Sequence, residues 1–391
     1  MRRVTLKDIA EITHFSVNTV SRALNGRPEI REATKAQILS VAEALGYYPN
    51  RLAQGLRKQQ CGIIGVVVTD ISNPFFGAVV KSIEKESRKA GFQIILLDTD
   101  EQLDLERKAV QTLISQHIGG AIICPVQHHD KHLRELERNG VKLVLLGRRF
   151  SDTDFSYVIP NDEQAGYLAA DHLIRLGHRK IAFVNAPEHI SSAQDRLTGF
   201  TQAHCDHGLA SSECLVQFGA LCVEEGYEIS KRLLTDSLGI TAVVAFSDFV
   251  ALGVIRAARD VGLRVPDDLS IVGIDDSEFS SAFPFLLTTV RSPTEELGQV
   301  AMRAIAAQLA APESEETPLI SEIVDMKLII RTTTAPPPGG RDAGGDTREQ
   351  SITHAPTTPL EKAGATTSPK GLKAEKDDEH AGSTEKTIKE V

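Results

Sequence analysis

The sequence predicts a small all-α headpiece, then a two-lobed α/β body with parallel sheets, then a disordered tail. Three observations carry this. The first sixty residues hold two short helical runs around a tight turn and are basic, whereas the chain as a whole is acidic. From Gly62 onward, short apolar runs alternate with amphipathic stretches over about 270 residues, more than one lobe ordinarily holds. Beyond Thr332 large apolar side chains almost vanish.

The run Val4-Thr5-Leu6-Lys7-Asp8-Ile9-Ala10 reads as a helix capped by Thr5, with Asp8 three residues on as a weak capping box. A break follows at Thr13-His14-Phe15. A second helix runs from Ser16 to Leu24 and ends near Asn25-Gly26. Helix, turn and polar-faced helix make a helix-turn-helix, whose second helix can lie in the DNA major groove. Residues Glu32 to Leu45 keep apolar side chains at helical spacing and close a three-helix core, in which Val20 and Leu24 also belong. Pro49 then forbids continuation, and Asn50 can cap a further short helix through Arg57. At about two turns, with Gly55 inside, that helix needs DNA or a partner copy to stabilise it.

Charge agrees with DNA as the partner. Residues 1–60 carry ten Lys/Arg against five Asp/Glu, a net +5 on a chain of net −10. A basic head on an acidic body concentrates phosphate attraction at one end.

The words Val4–Ala10, Thr19-Val20-Ser21-Arg22-Ala23-Leu24-Asn25 and Leu45-Gly46-Tyr47-Tyr48-Pro49-Asn50-Arg51-Leu52-Ala53 resemble the headpiece and hinge of the lactose/galactose repressor (LacI/GalR) family. The resemblance continues to about Thr332. It implies a headpiece over 1–48, a hinge over 49–60, and a periplasmic-binding-protein-like body for effector binding and dimerisation over 61–332. By the same resemblance Val17, Asn18 and Arg22 match positions that read base edges. The chemistry fits, since Asn pairs with adenine, Arg with guanine, and Val packs on a thymine methyl. Ser16, Thr19, Ser21 and Asn25 are candidates for phosphate contacts. Thr5, Asn50 and Ala53 complete the expected DNA-contacting set, with Leu56 as the hinge wedge that enters the minor groove. One departure stands out: His14 occupies a tight turn where relatives carry Gly or Asn, and a left-handed backbone is harder for His.

In the body, Ile63–Val68, Ile94–Leu97, Ala121–Ile123 and Leu143–Leu146 read as strands of a first series, the last closing that lobe. A helix from Phe75 to Ala90 follows the first of them. Ile181–Val184, Ala242–Ala245 and Ile271–Ile274 belong to a second series. Strands alternating with helices indicate parallel sheets covered on both faces. Ligands of such sheets bind beyond the carboxyl ends of the strands, here between the lobes.

That rule, with the resemblance, selects the effector-binding candidates. Phe75 follows the first strand at a family position that stacks on a ligand, with Phe76 beside it. Arg148 and Arg149 follow Leu146, placed either to meet a ligand or to pair with acidic neighbours. Arg196 matches a family arginine at the start of a helix and can donate two parallel hydrogen bonds. Asp275 follows a strand and suits paired sugar hydroxyls. Ser247, before Asp248, stands where many relatives carry Asn. Asn161 matches a family position that either meets the ligand or organises the crossover between lobes. The implied mechanism is a population shift: an effector favours one arrangement of the lobes, and the region from Gln59 to Gly62 relays it to the hinge.

Other features carry less. Five cysteines form no Cys-x-x-Cys pair, and neither a signal peptide nor a long apolar run is present, so a cytoplasmic location without membrane association is expected. His128 and His132 have the spacing of a metal pair but lack a third ligand, so no metal and no cofactor is expected. No phosphate loop, nucleophile elbow or His-Glu-x-x-His is present, and nothing argues for an enzyme. Residues 333–391, rich in Thr, Pro, Gly, Glu and Lys, read as a disordered tail without leucine heptads, which leaves a homodimer as the expected assembly. The leading expectation is an effector-controlled repressor that binds a pseudo-palindromic double-stranded DNA operator and senses a small, carbohydrate-like metabolite. A transport solute-binding protein and an architectural DNA-binding protein are the competing classes.

Overall fold

The computed structural model describes residues 4–47, 62–209, 214–236, 238–282, 286–312 and 319–338. Asn50, Ala53, Leu56 and Cys61, together with the hinge as a whole, lie outside these.

The headpiece holds α1 (Leu6–Thr13), α2 (Val17–Leu24) and α3 (Glu32–Ala44). The box at the start of α1 is reciprocal: the Thr5 amide donates to Asp8 Oδ2 at 2.7 Å, and the Asp8 amide donates to Thr5 Oγ1 at 3.4 Å. His14 ends α1 in the left-handed region at φ 56°, so the turn keeps its glycine-like backbone with a histidine in place. Ser16 caps α2 by accepting from the Thr19 amide at 3.1 Å. Ile9, Val20 and Ile38, one from each helix, are fully buried and fill the small core. Leu24 packs against it only partly.

The first lobe begins with β1 (Ile63–Val68), α4 (Pro74–Lys89), β2 (Gln93–Asp98), α5 (Leu103–Ser115), β3 (Gly120–Ile123), α6 (Leu133–Arg138), β4 (Lys142–Leu146) and β5 (Ser156–Pro160). The second holds α7 (Asp162–Arg175), β6 (Ile181–Asn185), α8 (Ser191–Asp206), β7 (Cys214–Phe218), α9 (Val223–Thr235), β8 (Ala242–Ala245), α10 (Asp248–Asp260), β9 (Ser270–Asp275) and β10 (Thr288–Arg291). The chain returns to the first lobe for α11 (Thr294–Ala310) and β11 (Ser321–Val324), then goes back for β12 (Lys327–Ile329). The six-stranded sheets run β11-β5-β4-β3-β1-β2 and β12-β10-β9-β8-β6-β7. All pairings are parallel except β12 with β10. Each sheet is buried between helical layers, and for that reason its central strands are continuous apolar runs. Leu143–Leu146, expected to close the first lobe, is instead an interior strand; β5 and the returning β11 close it.

Three crossovers therefore join the lobes, and the first and last of them are tied together. The Asn161 amide donates to Val324 O at 2.8 Å, and Asn161 Nδ2 donates to Asp325 Oδ1 at 3.1 Å. Gln164 Oε1 accepts from the Met326 amide at 2.6 Å. Asn161 is thus a crossover organiser, the second of its two expected roles.

The expected start of the tail at 333 is too early. Thr333 Oγ1 donates to Ile271 O at 2.7 Å and accepts from the Thr288 amide at 2.9 Å. The Ala335 amide donates to Ser270 Oγ at 3.0 Å. The cause is chemical: hydroxyls and free amides that read as a solvated tail instead satisfy backbone groups at the starts of β9 and β10. From 339 onward the tail lies outside the described residues.

Candidate functional site

Two sites emerge. On the headpiece, Val17, Asn18 and Arg22 are all exposed on α2, and among the described residues no hydrogen bond engages the side chains of Asn18 and Arg22. Val17 is 42 % exposed, unusual for an apolar residue on a helix that also buries Val20 and Ala23. The flanking polar groups are more committed. Ser16 Oγ lies 2.8 Å from Thr19 Oγ1, and Asn25 Nδ2 donates to Ser21 O at 2.6 Å. Thr5 is exposed but engaged with Asp8. The free donors therefore cluster at Asn18 and Arg22, in the groove-entering half of the motif.

The second site is a cavity of about 240 Å³ between the lobes. Its lining comes from the loops after nearly every strand. The first lobe gives Asp70, Asn73, Phe75 and Phe76 after β1, Asp100 and Glu101 after β2, Cys124 after β3, and Gly147 and Arg148 after β4. The second gives Ser192 and Arg196 after β6, Leu221, Cys222 and Glu225 after β7, Phe246 and Ser247 after β8, and Asp275 at the end of β9. All five expected effector residues (Phe75, Arg148, Arg196, Ser247 and Asp275) line it, and so does Phe76. Asp70, Asp100, Glu101, Ser192 and Glu225 were not singled out in advance. Applying the carboxyl-end rule to the loops after β2 and β7 finds three of them.

Arg196 shows how the second lobe builds the site. Helices α7 and α8 approach so closely that a Cβ on Gly166 would stand 1.9 Å from Arg196 O, and one on Gly199 1.8 Å from Glu163 O. Only glycine permits this contact, and it brings Arg196 against Asp162. Arg196 Nε donates to Asp162 Oδ1 at 2.7 Å, Nη1 donates to Phe246 O, and the guanidinium lies 4.3 Å from the centroid of the Phe246 ring. Both ion-pair partners are buried. Burial pushes the Asp162 carboxyl up to about 6, with the Arg196 charge opposing it.

Arg148 is likewise buried and committed. Nη1 and Nη2 donate to the two carboxylate oxygens of Glu101 at 2.9 and 2.6 Å, and Nη1 also donates to Pro125 O at 3.1 Å. Arg149 points elsewhere, donating to both oxygens of Asp195 and so pinning the lobes together. A ring completes that pin: Arg149 N donates to Ser191 Oγ at 3.0 Å, Ser191 N to Gln127 Oε1 at 2.9 Å, and Gln127 Nε2 to Arg149 O at 2.6 Å. Beside it, the His128 and His189 rings stack with centroids 4.6 Å apart. His132, four residues along, is bound 2.6 Å from Glu106 Oε2, so these two imidazoles have separate partners.

Asp275 is buried, accepts from Ser292 Oγ at 3.2 Å, and is held well above the ordinary carboxylate range by burial, partly offset by Arg196. Its φ is 125°, and Asp276, Asp100 and Glu101 are also left-handed at 56°, 48° and 53°. Non-glycine residues adopt such angles at a cost, and here they gather at the cavity. Cys124 lines the cavity as a buried thiol pushed up to about 12 by burial, which leaves it protonated and inert.

A helix-turn-helix joined to a two-lobed body with an interlobe cavity defines a class: DNA-binding regulators that carry a small-molecule-binding domain. Residues 5–50 match the model of bacterial regulatory proteins of the lacI family, and 62–332 match periplasmic binding proteins and the sugar-binding domain of the LacI family. The chain belongs to the LacI family and is a transcription regulator, not an enzyme. It is 33 % identical to catabolite control protein A of Priestia megaterium over 77 % of this chain and 91 % of the relative. The structure of the Lac repressor dimer bound to operator and the anti-inducer ONPF matches with a TM-score of 0.75 and 27 % identity, over 85 % of this chain and 100 % of that one. The cellobiose complex of the regulator CelR matches with a TM-score of 0.65 and 27 % identity, over 85 % and 100 %. Among the described residues, no helix is long and apolar enough to cross a membrane.

Proposed function

We propose that this chain is a cytoplasmic repressor that binds a pseudo-palindromic operator as a homodimer and releases or tightens it when a small carbohydrate-like effector enters the interlobe cavity. The observation that carries this reading is the cavity itself, lined from both lobes at the carboxyl ends of their strands, where a ligand bridges the halves. Val17, Asn18 and Arg22 read bases, while Ser16, Thr19, Ser21, Asn25 and Thr5 position the headpiece on phosphates. Phe75 stacks on the effector, and Arg148, Arg196, Ser247 and Asp275 frame it. The crossovers at Asn161, Ser292 and Asp325 are the pivots of a population shift, since an effector must favour one lobe arrangement to alter the heads. The ring of Gln127, Arg149 and Ser191 stabilises one of the lobe arrangements.

The experiment is a footprint of the full-length protein on the DNA flanking its own gene, repeated across salt concentrations and with added sugars. A symmetric protected site that a sugar weakens or strengthens is the expected result. Protection without sequence preference, collapsing as salt rises, would mark an architectural DNA-binding protein instead.

A further inference from the structure

The cavity described above has a charge that restricts what can enter it. Its lining holds five carboxylates, Asp70, Asp100, Glu101, Glu225 and Asp275, against two guanidiniums, Arg148 and Arg196. Among the described residues, no lysine or histidine belongs to the lining. Both guanidiniums are already partly committed to partners within the protein. Arg148 grips both oxygens of Glu101, and Arg196 is engaged by Asp162 and the Phe246 carbonyl.

Helix N-termini are the other usual anion receptors, and four of them border the cavity, the start of α8 among them through Ser192. Three are capped from within, whereas α8 has no side-chain cap and only its Ser191 amide is taken up, by Gln127 Oε1. Asn73 Oδ1 accepts from the Phe75 amide at 3.1 Å, and Ser247 Oγ accepts from the Val250 amide at 3.1 Å. Glu225 Oε2 accepts from the Leu221 and Cys222 amides at 2.8 and 3.3 Å, so that helix start carries its own carboxylate. An incoming phosphate or carboxylate would find most of these receptors taken and a surplus of negative charge around it. Protonation of Asp275 would still leave carboxylates in surplus. Groups that donate hydrogen bonds meet the opposite situation, because the side chains facing them are acceptors.

From this we infer that the effector is a hydrogen-bond-donating polyol of zero or positive charge, a free sugar or an amino sugar, and that the cleft rejects phosphorylated sugars and sugar acids. The inference rests on the reading of this cavity as the effector site. It adds a rule of charge, with Asp70 and Glu225 as its determinants from opposite lobes.

The test titrates full-length protein by calorimetry with matched congeners: glucose, glucosamine, glucose 6-phosphate and gluconate, then the corresponding sets built on galactose, mannose and ribose. Binding is expected only among neutral and amine members, with the anionic partner of any hit weaker by about tenfold or more. Asp70→Asn keeps the oxygen that accepts from the Ser72 amide and removes the charge. It should narrow that discrimination several-fold, and raised salt should narrow it in the wild type as well. A phosphate or acid that binds as tightly as its neutral parent overturns the inference. Silence from every congener, with operator still bound, overturns it too, along with the carbohydrate reading of the cleft; loss of sequence-specific operator binding would instead strike the repressor assignment alone.

Discussion

The headpiece and the cleft present their functional side chains in opposite ways. On α2, Asn18 and Arg22 stand exposed with no side-chain hydrogen bond among the described residues, while Ile9, Val20 and Ile38 hold the fold from beneath. In the cleft, Arg148 and Arg196 are buried and already bonded to carboxylates and carbonyls. The head separates recognition from stability, and the cleft merges them. A preorganised cleft spends little ordering energy when a ligand arrives. The corresponding weakness is that a substitution there injures the fold along with the binding.

The sharpest way to test that contrast is Arg196→Ala. Removing the guanidinium leaves Asp162 buried and unpaired, a change that typically costs about 3–5 kcal/mol. We expect a large drop in the denaturant midpoint of the body as well as loss of effector response. An Arg196→Ala protein as stable as the wild type would show that the pair contributes nothing net. Gly199→Ala comes next. Its new methyl would sit 1.8 Å from Glu163 O, so α7 and α8 must part, at a cost of about 3 kcal/mol by the usual scale of overpacking. The same variant should weaken effector binding, since it moves Arg196. Unchanged stability would mean that the helices slide apart freely.

Arg22→Ala is the counterpart in the headpiece. Arg22 is exposed, so folding stability should stay within about 0.5 kcal/mol of wild type. Operator affinity should fall by about 1–3 kcal/mol, with base preference relaxed at one position. Competition binding against operator variants measures both. Uniform weakening across all sequences would make Arg22 a phosphate contact.

The same contrast explains what the sequence made legible. The head's elements follow from neighbours within four residues: Thr5 with Asp8, Ser16 with Thr19, and the spacing of Val20 and Ala23. Such local signals survive reading along the chain. Most central strands were legible too, because burial on both faces leaves unbroken apolar runs such as Ile63–Val68, whereas interior β5 and β10, which mix Ser, Thr, Tyr or Arg into the run, were not read as strands. Edge strands β7, β11 and β12 were not, being short and half-exposed. In the cleft, the carboxyl-end rule placed Phe75, Arg148, Arg196, Ser247 and Asp275 correctly on the cavity. It did not show that Arg148 belongs to Glu101, or Arg196 to Asp162, since partners 47 and 34 residues apart meet only once the sheets form. Nor did composition reveal that Thr333 and Ala335 complete the second lobe, because a hydroxyl that caps a buried strand reads like one in water.

The smallest expected effect concerns that last strap. His178 is buried with Nδ1 2.8 Å from Thr241 Oγ1 and Nε2 2.9 Å from Ala335 O. A carbonyl only accepts, so Nε2 carries the proton and Nδ1 takes the Thr241 hydroxyl, which describes a neutral ring. Burial lowers the pKa of His178 below its ordinary 6.5. With the folded value depressed, the unfolded chain binds the proton first as pH falls. Stability from this residue is therefore complete above about pH 6.5 and declines as pH drops toward the folded-state value. His172 and His189 are shifted the same way, also by burial, whereas Asp162 and Asp248, raised to about 6, gain stability over part of that range. The net slope of the wild type thus mixes opposing groups, and the informative quantity is the difference between wild type and His178→Gln. The variant should melt lower at pH 7.5, having lost a hydrogen-bonded ring, but the gap should close between pH 7 and 5.5. A gap that stays constant with pH would mean that folding leaves the pKa of His178 unshifted, and one that widens toward pH 5.5 would mean that the ring is charged in the fold.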